Sequence, residues 1–149
     1  MPEQNAPPQS PQRFLAFDFG LKRIGVAVGT QGLGAPQALE PVRAKDGIPD
    51  WHKIETLINE WRPSAIVVGL PLNMDGTEND MCARARKFGK RIHGRYHLEI
   101  NMVDERLTSF AAKEQAKMDH GRLDFGEYSV DGAAACMILE TWFSQEGNE

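Results

Sequence analysis

The sequence has few cysteines, no long hydrophobic run and no excess of positive charge. Its 149 residues include two cysteines, Cys82 and Cys136, which provide no disulfide framework and are typical of a reducing compartment. No apolar run approaches the roughly 18 residues that a membrane-spanning helix needs. The chain does not open with a basic segment followed by an apolar one, as a secretory signal does. We therefore expect a cytoplasmic protein with no membrane partner.

The charge balance restricts what the protein can bind. The net charge is -4, so the protein as a whole does not attract a polyanion, and any nucleic-acid binding must be local. Residues 1–12 contain four prolines and no bulky apolar residue after Met1, which predicts a disordered tail. The rest, about residues 13–145, is long enough for one domain with one core.

An acidic residue interrupts the first apolar segment. Phe14–Gly29 reads FLAFDFGLKRIGVAVG, which predicts a strand, a short turn at Gly20–Arg23 and a second strand at Ile24–Val28. Asp18 lies near the end of the first strand. A buried carboxylate is costly unless it is paired, hydrogen-bonded, protonated or bound to a metal. The residues alone leave open whether Asp18 binds a metal or only accepts hydrogen bonds from turn amides.

The pattern that follows predicts an α/β sheet. Leu39–Arg43 is a candidate third antiparallel strand. Apolar residues at helical spacing over Asp50–Trp61, with Asp50 as N-cap, predict a helix. The apolar runs Ser64–Leu70 and Leu98–Val103 predict strands, and the alternation of strand, helix and strand implies parallel pairing.

The remaining segments are predicted as loops and helices. Pro71–Thr77 is a loop after a buried strand, and Thr77 is expected to cap the helix that follows. A further helix is predicted from Thr108 or Ser109 to Met118, a loop over Asp119–Gly126, and a last helix over Tyr128–Phe143.

One segment is strongly basic. Cys82–Arg95 contains six lysines or arginines and no acid, and at 100° per residue four of them share one stripe: Arg84, Lys87, Arg91 and Arg95. Such a stripe is either a solvated helix face or a phosphate-binding surface, and the segment alone does not decide between them. His93 and His97 are four residues apart, but no second ligand pair accompanies them, so we expect no zinc site.

Three acidic residues lie where a parallel sheet would bring them together. Asp18 and Glu105 lie at expected strand ends, and Asp131 lies at an expected helix start. Three carboxylates in one cleft repel one another, and a hard divalent cation such as Mg²⁺ offsets that repulsion. In two-metal phosphoryl chemistry one ion activates the attacking water and the other stabilises the leaving oxygen.

Four ordered motifs resemble those of the YqgF family, also called RuvX. They are D-F-G-x-K-R-I-G at Asp18–Gly25, G-L-P-L-N-M-D-G-T at Gly69–Thr77, D-E-R-L at Asp104–Leu107, and V-D-x-x-A-A at Val130–Ala135. The resemblance implies a ribonuclease H-like fold related to the RuvC resolvases. We expect a mixed five-stranded sheet, with its first three strands antiparallel and the others parallel, and helices on both faces.

The same resemblance implies a metal-dependent nuclease. The family is described both as a nuclease that processes the 5′ end of pre-16S ribosomal RNA and as a Holliday junction resolvase. Asp18, Glu105 and Asp131 match its acidic catalytic positions and would bind Mg²⁺ or Mn²⁺, with Asp104 as a further candidate ligand. The expected nucleic-acid-binding residues are Arg23, Arg106, Arg84, Lys87 and Arg91.

Several alternatives stay open at this point. Related chains often carry a lysine-rich stretch before the last acid, whereas Gly121–Val130 has one arginine against two acids, which argues against strong junction binding. The fold could also serve a non-catalytic RNA-binding factor in a pre-ribosomal particle. An ATP-binding module of the actin type needs two copies of this fold, and 149 residues provide one. A symmetric junction would call for a homodimer.

Overall fold

Short apolar segments form one mixed sheet in a computed structural model, which describes residues 12–108 and 130–147 of the chain. The strands are β1 (Arg13–Asp18), β2 (Arg23–Thr30), β3 (Gln37–Lys45), β4 (Ile48–Pro49), β5 (Ala65–Leu70) and β6 (Glu99–Asp104). Their order is β4-β3-β2-β1-β5-β6. The pairs from β1 to β4 are antiparallel, and β5 lies parallel to both β1 and β6. The expected change from antiparallel to parallel pairing at β1 is confirmed.

Three helices and a single turn of 3₁₀ helix complete the described fold. The helices are α1 (Trp51–Trp61), α2 (Asp80–Tyr96) and α3 (Val130–Gly147), and the 3₁₀ turn is Glu105–Thr108. The expected N-cap of α1 is confirmed, because the Asp50 carboxylate accepts hydrogen bonds from the amides of His52 (3.1 Å) and Lys53 (3.3 Å). Helix α1 ends at Trp61, and its C-cap is Arg62, which has a left-handed backbone (φ 46°) and precedes Pro63.

The sheet buries a separate cluster of side chains on each face. Because successive strand residues point to opposite faces, Leu15 and Phe17 pack with α1 and α2, whereas Phe14 and Ala16 pack with α3. Large residues such as Phe17 are fully buried, and each contributes about 1.5–3 kcal/mol relative to an exposed position. Helices on both faces are therefore confirmed, and the residue order along β1 decides which face each side chain serves.

A short sixth strand was not expected from the sequence. Asp46 and Gly47 both have positive φ values, 51° and 84°, as the central residues of a type I′ turn require, and they return the chain from β3 into β4. With only Ile48 and Pro49, β4 is too short to show an alternating pattern. A bulge also shifts the β2–β3 register, so Val26 pairs with Leu39 although Ile24 pairs with Val42.

Some predicted segments lie outside the described residues. These are residues 1–11 of the expected tail, the helix expected after Thr108, and the loop Asp119–Gly126. The last helix is present from Val130 to Gly147, so it continues past the predicted end at Phe143, and its predicted start at Tyr128 lies outside the described residues. Among the described helices, none combines the length and the hydropathy needed to cross a membrane.

Candidate active site

Asp18 ends β1 between two glycines on the neighbouring strands. It pairs with Gly25 of β2, and since Phe17 pairs with Val68, the next residue of β5 alongside Asp18 is Gly69. Asp18 follows Phe14 and Ala16 at intervals of two, so its side chain lies on the α3 face, as do the positions of both glycines. It is half-buried. The expected position of Asp18 at a strand end beside the β1–β2 turn is confirmed.

Gly25 allows the first turn of α3 to rest directly on β2. A Cβ atom at Gly25 would lie 2.1 Å from the backbone oxygen of Asp131, which is far inside van der Waals contact. The residues after Asp131 are small and buried, including Ala133, Ala134 and Ala135. The start of α3 is therefore held close to the strand pair that carries Asp18.

Gly69, on the other side of Asp18, leaves room for the Glu105 side chain. A Cβ atom at Gly69 would lie 2.7 Å from Cγ and 2.8 Å from Cδ of Glu105, so this side chain lies across β5. Glu105 begins the 3₁₀ turn that follows β6. The topology thus brings Asp18, Glu105 and Asp131 to one edge and one face of the sheet, through two glycines that leave room for them.

The three acids do not form a closed ligand set as they stand. Within residues 12–108 and 130–147, no three acidic, histidine or cysteine side chains are placed to hold one metal ion together. None of the three acids is without an interaction partner. Their carboxylate oxygens are nevertheless the donors that Mg²⁺ and Mn²⁺ prefer, so the chemistry of the site fits a hard divalent ion.

Arg23 forms an ion pair with Asp131. Its Nε lies 3.1 Å from Oδ2 of Asp131, with side-chain exposures of 63% and 26%. A pair this exposed contributes at most about 1 kcal/mol to stability. Its main effect is local, because it places a positive charge beside the acids and links the start of β2 to the first turn of α3.

Asp104 and Arg106 form a tight pair on the opposite face. The Arg106 guanidinium donates from Nε to both carboxylate oxygens of Asp104 (3.1 Å each) and from Nη2 to Oδ2 (2.8 Å). The Arg106 amide also donates to Oδ1 (2.8 Å). These side-chain bonds hold the pKa of Asp104 below its usual value. Asp104 was a further candidate metal ligand, but both of its carboxylate oxygens accept hydrogen bonds from Arg106. Asp104 is also aligned with Leu70 of β5, whereas Gly69 is the residue alongside Asp18.

Arg106 also holds the loop that follows β5. Its Nη1 donates to the backbone oxygen of Met74 (3.2 Å). The loop is closed by its own hydrogen bonds: the Asp75 carboxylate accepts from the Thr77 hydroxyl (2.6 Å) and amide (3.0 Å), which lowers the pKa of Asp75. Gly76, at φ +90°, passes beside Arg106, where a Cβ atom would lie 3.3 Å from Nη1. Arg106 therefore acts on the shape of the loop.

The helix cap predicted at Thr77 is wrong. The N-cap of helix α2 is Asn79, two residues after Thr77, and the helix begins at Asp80. The Asn79 Oδ1 accepts a hydrogen bond from the Cys82 amide (3.0 Å). The Thr77 hydroxyl is used inside the loop by Asp75 and Asn73. Asn79 Nδ2 in turn donates to Asn73 Oδ1 (2.8 Å) and to the Pro71 oxygen (3.0 Å), so the cap also supports the loop.

The four residues of the basic stripe of α2 do not all face the same site in the structure. Arg84, Lys87 and Arg91 line one pocket together with Phe19 and the β3–β4 turn. Arg95, the fourth member, does not line this pocket, and its guanidinium carbon lies 3.9 Å from the centroid of the Trp51 ring. The pocket is on the α1 and α2 face, so these three cations and the three acids belong to opposite faces of the same sheet.

Sequence comparison assigns the chain to a family. Residues 12–145 match a family model described as "RuvX: Holliday junction resolvase". The chain belongs to the RuvX family. A RuvX-family relative from Marinobacter nauticus, named "Putative pre-16S rRNA nuclease", is 58% identical over 135 residues, which are 91% of this chain and 94% of the relative.

Solved structures establish the fold of this RuvX-family chain. RuvC of T. thermophilus in complex with a Holliday junction substrate has a TM-score of 0.55 at 15% identity, over 91% of this chain and 96% of that one. The yeast mitochondrial Holliday junction resolvase has a TM-score of 0.52 at 12% identity, over 96% and 82%. Likeness at such low identity concerns the fold alone. It confirms the expected ribonuclease H-like fold.

The two glycines beside Asp18 were not predicted as site residues of the RuvX-family chain. The sequence motifs contain Gly25 and Gly69 without indicating a role for them, yet in the structure they leave room for Asp131 and Glu105 at the edge of the sheet. A signal was available, because a glycine inside a strand often marks a place where another backbone or a ligand comes close. Asn79 was missed for a different reason, since Thr77 is also a good capping residue.

Proposed function

We propose that this protein is a divalent-metal-dependent nuclease that hydrolyses phosphodiester bonds in RNA and processes the 5′ end of pre-16S rRNA. The observation that carries the proposal is the placement of Asp18 between Gly25 and Gly69, with Asp131 and Glu105 against those glycines. Membership of the RuvX family and the name of the Marinobacter nauticus relative support it.

In this proposal Asp18, Glu105 and Asp131 bind Mg²⁺ or Mn²⁺. A bound ion of this kind supplies an activated water and stabilises the leaving oxygen. Asp18 is the central ligand, because it lies between the two strands that receive the other acids. Asp131 would exchange Arg23 for the ion, which would leave the guanidinium available to a substrate phosphate beside it.

Arg106 is assigned a positioning role in the same proposal. Its guanidinium donates to Asp104 from Nε and Nη2 and to the Met74 oxygen of the loop after β5 from Nη1. The loop lies at the carboxyl ends of parallel strands, the edge at which ligands bind in α/β sheets. Arg106 would thus keep one wall of the substrate cleft in shape, with Asp104 as its anchor rather than as a metal ligand.

A second candidate function is cleavage of four-way DNA junctions. The description of the family model favours it. A junction resolvase needs two active sites for the two strands it cuts, so this candidate also requires a homodimer. We place the RNA function first because the Marinobacter nauticus relative carries a ribosomal RNA name at 58% identity. The corresponding setting is the cytoplasm, with a pre-ribosomal particle as partner.

The decisive experiment compares substrates and acid variants with the full chain. Purified protein with Mg²⁺ or Mn²⁺ is expected to cut a pre-16S leader RNA, and Asp18→Asn or Glu105→Gln should abolish cutting. Glu140→Gln, an exposed acid on α3, is the matched control and should cut normally. Cutting of a four-way DNA junction alone would favour the resolvase. Full cutting activity in Asp18→Asn would refute the assigned site, whereas binding of the leader without any cutting by the wild type would favour a non-catalytic assembly factor.

A further inference from the structure

A pocket of about 390 Å³ lies on the face of the sheet opposite the three acids. It falls in the size range of small-molecule sites, which is about 300–1,000 Å³. Helix α2 forms one wall, the β3–β4 turn forms the other, and aromatic side chains form the floor. The lining residues are Phe19, Asp46, Gly47, Ile48, Pro49, Arg84, Lys87, Phe88 and Arg91.

The turn that forms one wall is fixed in place. Gly47 donates its amide to the Leu21 oxygen (2.9 Å), which attaches the β3–β4 turn to the β1–β2 turn. A Cβ atom at Gly47 would lie 3.1 Å from Cζ of Phe19 and 3.4 Å from Nη1 of Arg84. The wall therefore rests closely on the floor and on the first cation, so the pocket is formed before any ligand arrives.

The pocket carries an excess of positive charge. Three cations face one carboxylate, that of Asp46, and Arg84 Nη1 lies 3.8 Å from its Oδ1. In the part of the chain that the structure describes, Lys87 and Arg91 have no ion-pair partner, whereas Arg86 on the same helix is paired with Glu78. An anion held between Lys87 and Arg91 would balance charge that the described residues leave uncompensated.

The pocket and the proposed catalytic site are built on consecutive residues. Phe19 directly follows Asp18, and its side chain packs with α2 while that of Asp18 lies on the α3 face. Both sites are therefore at the same end of the sheet, on either side of the β1–β2 turn. A strand bound at Asp18 would therefore cross this turn to reach the pocket.

We infer that this pocket binds a phosphate group of the substrate strand away from the bond that is cut. The inference rests on the proposed nuclease function. Lys87 and Arg91 would hold the phosphate oxygens, with Arg84 beside them, and the exposed Ile48 would contact the attached sugar or base above the buried Pro49 and Phe19. The phosphate is either an internal diester or a terminal monoester of the strand.

The test measures binding of single-stranded RNA to full-length protein carrying Asp18→Asn, which separates binding from cutting. Lys87→Gln should weaken binding about tenfold and reduce the salt dependence of log K by about 0.7, the slope of one phosphate contact. Lys90→Gln is the matched control, because Lys90 is an exposed lysine of the same helix outside this pocket. Lys87→Arg should restore binding.

Two RNA probes distinguish the sources of the phosphate. If Lys87→Gln weakens binding of 5′-phosphorylated and 5′-hydroxyl RNA equally, the pocket holds an internal diester. If the loss is confined to 5′-phosphorylated RNA, it holds the terminal monoester. Equal affinities of Lys87→Gln and Lys90→Gln for RNA would overturn the inference about the pocket. The proposed nuclease function would be unaffected by that result as long as the wild type cuts RNA normally. A wild type that binds RNA through Lys87 without cutting it would overturn only the nuclease function.

Discussion

At the scale of single residues, Gly25 decides how close α3 comes to Asp18. The absence of a side chain at this position lets the Asp131 backbone oxygen occupy the space where a Cβ atom would be. The same residue pairs with Asp18 in the β1–β2 ladder, so one glycine joins two of the three proposed metal ligands. Glycine is needed at this position because a side chain would collide with Asp131, and not because the backbone adopts an unusual conformation.

Replacement of Gly25 by alanine tests this contact. The new methyl group would lie 2.1 Å from a backbone oxygen, so α3 must move, and we expect Gly25→Ala to lose about 3 kcal/mol of unfolding free energy. Gly94→Ala is the matched control, since nothing lies within 4 Å of a Cβ atom there and alanine favours a helix interior by about 0.5–1 kcal/mol. Urea unfolding measures both. Equal stability of the two variants would show that α3 does not depend on Gly25.

The Asp104–Arg106 pair predicts how stability responds to acid. Arg106 lowers the pKa of Asp104 in the folded state below the ordinary aspartate value of 3.8. The pair therefore stabilises the protein at pH values above 3.8, and this contribution is lost as the pH falls through the lowered pKa. The difference in unfolding free energy between wild type and Asp104→Asn should therefore be constant near neutral pH and shrink below about pH 3.8. Urea titrations at several pH values measure it. A difference that stays constant down to pH 2 would contradict the assignment.

At the scale of secondary-structure elements, the boundary before α2 is set by Asn79. Its Oδ1 caps the helix while its Nδ2 supports the preceding loop, so both hydrogen-bonding halves of the amide are used. The cap and the loop are therefore coupled through one side chain.

Two substitutions separate these roles of Asn79. Serine keeps a capping oxygen but lacks the amide donor, whereas alanine lacks both. We expect Asn79→Ala to be less stable than Asn79→Ser by about 1 kcal/mol, the usual value of an N-cap. Thermal or urea unfolding of the two variants measures the difference. If they unfold alike, the cap contributes nothing to the stability of α2.

Most elements could be predicted because their signals are local. The apolar periodicity over residues 50–61 and the cap at Asp50 predict α1, and the uninterrupted run that contains Val67 predicts a strand covered on both faces. Strand ends shifted by one or two residues, since pairing with a neighbour, not composition, determines them. The two-residue strand β4 carries no periodic signal at all, and the Asp46-Gly47 turn was the one sequence feature that could have indicated it.

At the scale of the whole molecule, the approach of the three acids to one edge of the sheet could be predicted, and their interaction partners could not. The strand order brings the ends of β1 and β6 to one edge, and the start of α3 reaches the same edge through its contact with Gly25. The pairing of Asp131 with Arg23, and of Asp104 with Arg106, depends on the orientation of each element and on rotamers. Sequence spacing contains no information about either.

Both cysteines should report the integrity of the whole fold. Cys82 is fully buried, and burial raises the pKa of the Cys136 thiol to about 12, so it stays protonated and unreactive near neutral pH. We expect a thiol reagent at pH 8 to label the native protein slowly, at the rate at which the structure opens, and to label both residues at once in denaturant. Rapid labelling of the native protein would show that the packing around α2 or α3 is looser than described.

The succession of Asp18, the last residue of β1, and Phe19, the residue after it, has a consequence for where a substrate would be cut. No hinge separates two adjacent residues, so a catalytic centre and an anchoring pocket built on them keep a constant distance. Such an arrangement works as a ruler. A nuclease with this geometry would count nucleotides from the anchored phosphate, and its cleavage position would follow the spacing of the protein rather than the identity of the bases.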